Sequence, residues 1–422
     1  MHDVEQRIEF FRHDVGKDEL GAIASTLDSL VLTTGNQTRS MEQKLGDYLG
    51  VKHVIGVDSC TAALHLSLLA SGIKEGDEVV VPAMTFIASA NAVLMAGGTP
   101  RFADVDPQTG NLTVETITSA VTSKTRAIMP VHLYGQMCDM KAIKHFADTH
   151  GLAVIEDSAH CLEVKHDGVQ PGSHSAAACF SFYPTKAMTC GEGGALATND
   201  SDLAARARQL ALHGMTSSAY DRYGKRYRHW DMTVMGWKYN LDNIRASMLI
   251  PQIDKLDDRW NRRRKICERY ESQLRDVPGI SFPAVEVEAA TARHLFTVWV
   301  SPDIRDAVLQ ELQARNIGVA VNYRPVHLMT YYRENFGHQE GTFPVAERMG
   351  AGTLTLPCYP GLRDDEVDRV AQSLIAIVES LQQSGQVVSG SVATTDVRGS
   401  CSAESLPQEL PHSNDMRVTN QY

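Results

Sequence analysis

Short, almost continuous apolar runs recur along the first half of the chain, and most lead into a stretch with helical spacing. "HVIGV" (53–57) precedes "TAALHLSLLASG" (61–72), which a glycine ends. "DEVVVPAMTF" (77–86) precedes "IASANAVLMAGG" (87–98), with the same kind of stop. "PRFADVD" (100–106) and "RAIMPVHLYG" (126–135) are two more strand candidates, and the helical "DMKAIKHFADTHG" leads into "LAVIEDSAH" (152–160). "SAAACFSFYP" (175–184) and "GGALATN" (193–199) complete seven strands. Strands that are apolar on both faces and separated by helices predict a mainly parallel sheet between two helical layers. The reading is α/β: a large domain over residues 1–250.

The pattern changes near residue 250. A long charged helix, about 250–276, is followed by strand-like "HLFTVWVS", helical "DIRDAVLQELQARN", strand-like "IGVAVNY" and helical "RDDEVDRVAQSLIAIVESL". These predict a smaller α+β domain over 251–384. Residues 385–422 are polar and aperiodic and predict a mostly disordered tail. No internal repeat is present.

Composition narrows the function. The 422 residues are 43% hydrophobic and 22% charged, enough for a substantial core. The formal net charge of -11 argues against a nucleic-acid partner, because there is no basic excess to neutralise phosphates. The exception, "RRRK" at 262–265, sits in a charge-mixed helical stretch and reads as a solvated face. No run of 18 apolar residues predicts a membrane span, and "MHDVEQRIEFFRHD" lacks a signal-peptide core. Eight scattered cysteines without a C-x-x-C pair fit reduced thiols in the cytoplasm and no metal site.

Candidate chemistry gathers around one lysine. In "SFYPTKAMTCGEGGALATND", Lys186 stands between a strand end and a glycine cluster, in apolar, turn-rich surroundings. An amine kept partly dry loses its proton readily and becomes a nucleophile. In open α/β sheets ligands lie beyond the carboxyl ends of the strands. "GVDSCTAAL" puts Ser59, Cys60 and Thr61 at such a strand-to-helix junction, which is either an anion site or a plain helix cap. "LAVIEDSAH" puts Glu156, Asp157 and His160 just past a buried strand, where a carboxylate needs a cation or a protonated ring nitrogen, or caps a helix. Ser181 adds a hydroxyl. Glycines 191, 193 and 194 allow close backbone approach or form a turn. Phe86 offers a flat ring to a planar ligand or to the core. Together these pieces describe a planar, phosphorylated aldehyde held as a Schiff base, for which pyridoxal phosphate is the expected cofactor.

On these residues the chain resembles the DegT/StrS-type sugar aminotransferases of the fold-type I aspartate aminotransferase superfamily. The resemblance runs from about residue 8 to 380 and is carried by segments in matching order. They include "GVDSCTAALHLSL", "TFIASANAVLMAGGTPRFADVD", "VIEDSAHCL", "FSFYPTKAMTCGEGGALATND", "GWKYNLDNIRASM" and "NYRPVHL". It implies that Lys186 is the Schiff-base lysine and that Asp157 holds the pyridine nitrogen protonated. His160 then lies near the phenolic oxygen, with Ser59, Cys60, Thr61 and Ser181 at the phosphate and Phe86 stacked on the ring. Lys238, in "GWKYN" with Asn240, matches a position that reaches the cofactor phosphate of a neighbouring subunit, which implies a homodimer with shared sites. The sequence departs from the family pattern at Cys60, where glycine is usual, at Ser158 and Cys161, in "GSHSAAACF", and at Asn322, where histidine is frequent. These departures bear on the sugar more than on the cofactor. Relatives with histidine in place of the lysine are dehydratases, and Lys186 argues against that chemistry.

The expected reaction is ping-pong transamination from glutamate to a keto-sugar attached to a nucleoside diphosphate, with Lys186 moving the proton. A keto-inositol acceptor and a non-catalytic regulatory protein on the same fold are the alternatives.

Overall fold

A computed structural model describes residues 6–164, 166–216, 229–286 and 290–389. The seven expected strands form one sheet: β1 (His53–Val57), β2 (Glu78–Pro82), β3 (Thr99–Ala103), β4 (Thr125–Ile128), β5 (Ala153–Asp157), β6 (Ala177–Ser181) and β7 (Gly194–Thr198). Their order is β1-β7-β6-β5-β4-β2-β3. Only β7 runs antiparallel to its neighbours, so its first residue, Gly194, pairs with the last residues of both β1 and β6, Val57 and Ser181. The polar residues that follow β1, β2, β5 and β6 therefore share one edge with the start of β7.

Both faces of the sheet are covered, which is why the strands read as apolar without alternation. One core packs the helix Cys60–Ala70 on β5, β6 and β7, and includes Leu64, Leu66, Leu68, Val79, Val81 and Ile155. Other clusters hold Met41, Leu45, Phe180 and Leu249, and Val80, Ile128, Ile143 and Val154.

Beyond residue 250 the structure differs from the sequence reading in several places. The long helix is two, Asn243–Ile253 and Leu256–Leu274. "HLFTVWVS" supplies β8 (Phe296–Trp299), but its antiparallel partner is β9 (Thr353–Leu356), which the sequence reading does not single out. "IGVAVNY" forms isolated bridges rather than a strand, Ile8 with Ile317 and Ala320 with Thr355. Its backbone is engaged by the N-terminal segment: Gly318 N–H donates to Ile8 O at 2.8 Å. "RRRK" is not wholly a solvated face. Arg262 and Arg264 pair with Asp364 and Glu268, but Arg263 is buried against Glu163. A further core joins Ile266, Tyr270, Phe296, Val298, Leu354 and Val370.

The described residues up to Leu381 form one compact unit, and a second begins at Gln382. The last helix, Asp364–Ser389, continues into the segment read as tail; residues 390–422 of that reading lie outside the described residues. Among the described residues no helix is long and apolar enough to cross a membrane, and no cluster of three or more His, Cys, Asp or Glu is placed to hold a metal.

Candidate active site

A cavity of about 510 Å³ opens at the carboxyl edge of the sheet. Ser59, Cys60, Thr61, Phe86, Asp157, His160, Ser181 and Lys186 all line it. The parallel strands deliver these residues: β1 ends just before Ser59, β5 ends on Asp157 and β6 on Ser181.

Lys186 enters on the turn after β6, where its N–H donates to Tyr183 O at 2.9 Å. It is partly covered, and burial pushes its amine down from 10.5 to about 8, against opposing pulls from Cys60 and Asp157. Asp157 is buried. Its Oδ2 accepts from Ser89 Oγ at 2.7 Å, and its Oδ1 accepts from the Ala159 N–H at 3.2 Å. His160 is buried too, and its Nε2 lies 3.1 Å from the Tyr323 hydroxyl. Burial and the Lys186 charge hold His160 well below the ordinary histidine range, so it is neutral near pH 7.

The helix Cys60–Ala70 starts at the cavity. Ser59 caps it, its Oγ accepting from the Ala62 N–H at 3.1 Å. The N–H groups of Cys60 and Thr61 have no intrahelical partner and add to the positive end of the helix dipole. Both alternatives for this junction, cap and anion site, are thus available together. Gly194 explains part of the glycine cluster. A Cβ there would lie 2.4 Å from Ser59 C and 2.5 Å from Cys60 N, so this glycine lets β7 press on the Ser59–Cys60 backbone. Phe86 is 53% exposed, and its ring is 5.7 Å from Tyr323, so it lies at the cavity rather than in the core.

Lys238 and Asn240 are not in this cavity. Lys238 Nζ donates to Asn240 Oδ1 at 2.5 Å, and Asn240 Nδ2 donates to Thr34 Oγ1 at 2.7 Å. Asn240 borders a separate cavity with Arg39 and Arg208.

Three site residues escaped the sequence reading. His294 lines the cavity, its ring tilted 32° against that of His160 at 4.5 Å, and is also held neutral by burial. Tyr323 faces both His160 and Phe86. Ser89 anchors Asp157; its one signal was a hydroxyl on a mostly apolar helix three residues after Phe86.

A model of the DegT/DnrJ/EryC1/StrS aminotransferase family matches residues 13–375. The chain belongs to this family. It is similar to the spore coat polysaccharide biosynthesis protein SpsC of Bacillus subtilis (strain 168), 38% identical over 371 residues that cover 86% of this chain and 95% of that one. Among solved structures it resembles S. venezuelae DesV, with 35% identity, a TM-score of 0.80, and 86% and 94% coverage. The PLP-form of a putative sugar aminotransferase, Spr1654 from Streptococcus pneumoniae, gives 29% identity and a TM-score of 0.82, covering 89% and 100%. This protein is a pyridoxal phosphate-dependent sugar aminotransferase, as its sequence predicts.

The residues present fit the cofactor. A desolvated amine, a buried carboxylate and a helix N-terminus share one cavity, whose volume lies in the ~300–1,000 Å³ range of small-molecule sites. His160 Nδ1 is also buried there, without a partner among the described residues.

Proposed function

We propose that this aminotransferase moves the amino group of glutamate to a keto-sugar carried on a nucleoside diphosphate, and that Lys186 and Asp157 are its catalytic pair. The observation that carries the reading is the amine of Lys186, brought to about 8 in a cavity it shares with Asp157. Pyridoxal phosphate, when bound, supplies an aldehyde that condenses with amines and a protonated ring that withdraws electrons. The chain supplies the rest.

At pH 7 an amine titrating near 8 is neutral in about one molecule in ten, against about one in three thousand at the ordinary 10.5. Lys186 Nζ is therefore available as a base toward the proton on the donor's α-carbon, and as an acid once it holds that proton. Asp157 would accept the ring N–H and keep that nitrogen protonated; Ser89 and the Ala159 N–H fix its carboxylate. The N–H groups of Cys60 and Thr61, with the hydroxyls of Ser59, Thr61 and Ser181, would hold the phosphate. Phe86, exposed at the cavity, would cover one face of the ring. Neutral His160 would serve the phenolic oxygen without adding charge.

Lys238 and Asn240 lie outside this chain's own cavity, which supports their use by a partner subunit and a homodimer with shared sites. Exposed Met232 and Met235 in the same segment are apolar surface suited to such a contact. SpsC, by its name, serves polysaccharide biosynthesis, which favours a nucleotide-linked acceptor in the cytoplasm. The test is to incubate purified holoenzyme with glutamate and a panel of nucleotide-linked 3-keto- and 4-keto-sugars, and to measure 2-oxoglutarate. Turnover with a member of the panel is expected. Turnover with a keto-inositol alone would replace the acceptor, and turnover only with another amino acid would replace the donor.

A further inference from the structure

Cys267 and Cys358 are 91 residues apart, and the structure brings their sulfurs to 3.6 Å. Cys267 lies on the helix Leu256–Leu274 and is fully buried; Cys358 lies just past β9 and is partly exposed. A disulfide requires about 2.05 Å, so the two sulfurs must close by about 1.5 Å.

Access and electrostatics distinguish the two thiols. Cys358 borders a narrow cavity of about 30 Å³ that Lys186, His294 and Arg263 also line. That volume admits a molecule about the size of water. Hydrogen peroxide is close to that size, whereas a bulky thiol reagent is far larger. Arg262, Arg263 and Arg293 face Cys358 and are held by Asp364, Glu163 and Glu271. The S–H of Cys267, with the arginine charges behind it, lowers the Cys358 thiol against the opposing effect of burial, while burial raises that of Cys267.

We propose that Cys267 and Cys358 are a peroxide-driven modification site that closes to a reversible disulfide, with Cys358 as the attacking sulfur and Cys267 as the resolving one. The Cys358 thiolate attacks one oxygen of hydrogen peroxide. The O–O bond breaks, and hydroxide leaves and takes a proton to become water. Cys358 is then a sulfenic acid. The Cys267 sulfur attacks the Cys358 sulfur, the S–O bond breaks, and a second water leaves. Two thiols have lost two electrons and two protons, and one peroxide has become two waters. The new bond ties the helix Leu256–Leu274 to the segment that walls the narrow cavity beside Lys186.

The experiment treats wild-type holoenzyme with increasing hydrogen peroxide, alkylates it after denaturation, and maps the digest by mass. The expected product is a Cys267–Cys358 linked pair of peptides, lighter by two hydrogens and separated again by dithiothreitol. It should appear at doses that leave the interior Cys161 and Cys179 alkylatable. In Cys267→Ser, dimedone should label Cys358; in Cys358→Ser, Cys267 should stay unlabelled and no link should form. The proposal is overturned if both sulfurs of the wild type stay alkylatable while other cysteines oxidise, or if Cys358 passes to sulfinic acid without a link. The wild-type map decides this even where a serine variant fails to fold.

Discussion

Gly194→Ala tests how the sheet supports the phosphate end of the site. The added Cβ would lie 2.4 Å from Ser59 C, 2.5 Å from Cys60 N and 2.6 Å from Ser59 O, whereas ordinary contacts begin near 3.4 Å. About 1 Å of backbone movement is needed, and every clashing atom is main chain. β7 is paired on both sides, with β1 and β6, so the Ser59–Cys60 junction gives way more readily than the strand. Such overpacking costs roughly 1–3 kcal/mol. At about 1.4 kcal/mol per decade, a cost that falls on the phosphate cup weakens cofactor binding about five- to a hundredfold. The assay titrates apoenzyme with pyridoxal phosphate and, separately, with pyridoxal. Gly194→Ala should weaken the first much more than the second, because only the first uses the helix N-terminus. Equal weakening of both, or affinity within twofold of wild type for the phosphate, would refute the argument. Gly21→Ala is the control: the position is exposed on the helix Lys17–Leu27 with nothing within 4 Å, and alanine should stabilise by about 0.5–1 kcal/mol without touching affinity.

Other consequences follow from the same geometry. Asp157→Asn should lower kcat by about 100-fold or more in steady-state assays, because an amide cannot keep the ring nitrogen charged. Ser89→Ala removes a 2.7 Å charge-assisted bond to Asp157, typically ~1.5–3 kcal/mol, and should cost about tenfold or more in kcat/KM with little change in fold by circular dichroism. Lys186 titrates near 8 folded and near 10.5 unfolded, so at pH 7 both states carry the proton and the folded state bears the whole desolvation penalty. Apo Lys186→Met should thus unfold at higher temperature than apo wild type at pH 7, by on the order of 1 kcal/mol after allowance for partial exposure. That gap should close as pH rises from about 8 to 10.5.

The large sheet was legible because parallel strands buried on both faces leave unbroken apolar runs. A carboxylate closing such a run, as Asp157 closes β5, is costly enough to stand out. Lys186 was visible for the same reason. β9 was not, because "TLTL" is four residues long and its partner, β8, lies more than fifty residues earlier. "IGVAVNY" has strand-like composition, but Gly318 packs against Phe10: a Cβ there would lie 2.4 Å from Phe10 N. His294 looked like any histidine at the head of a strand, and only the folded chain lays it beside His160. Arg263 shared its run with solvated neighbours and differs from them by one helical position.

The most direct test reduces holoenzyme with borohydride, digests it and maps the lysine that carries the pyridoxyl mass. The account predicts the label on Lys186, and neither label nor turnover in Lys186→Ala. A pyridoxyl group on another lysine, or an alanine variant that still turns over at the wild-type rate, would contradict it.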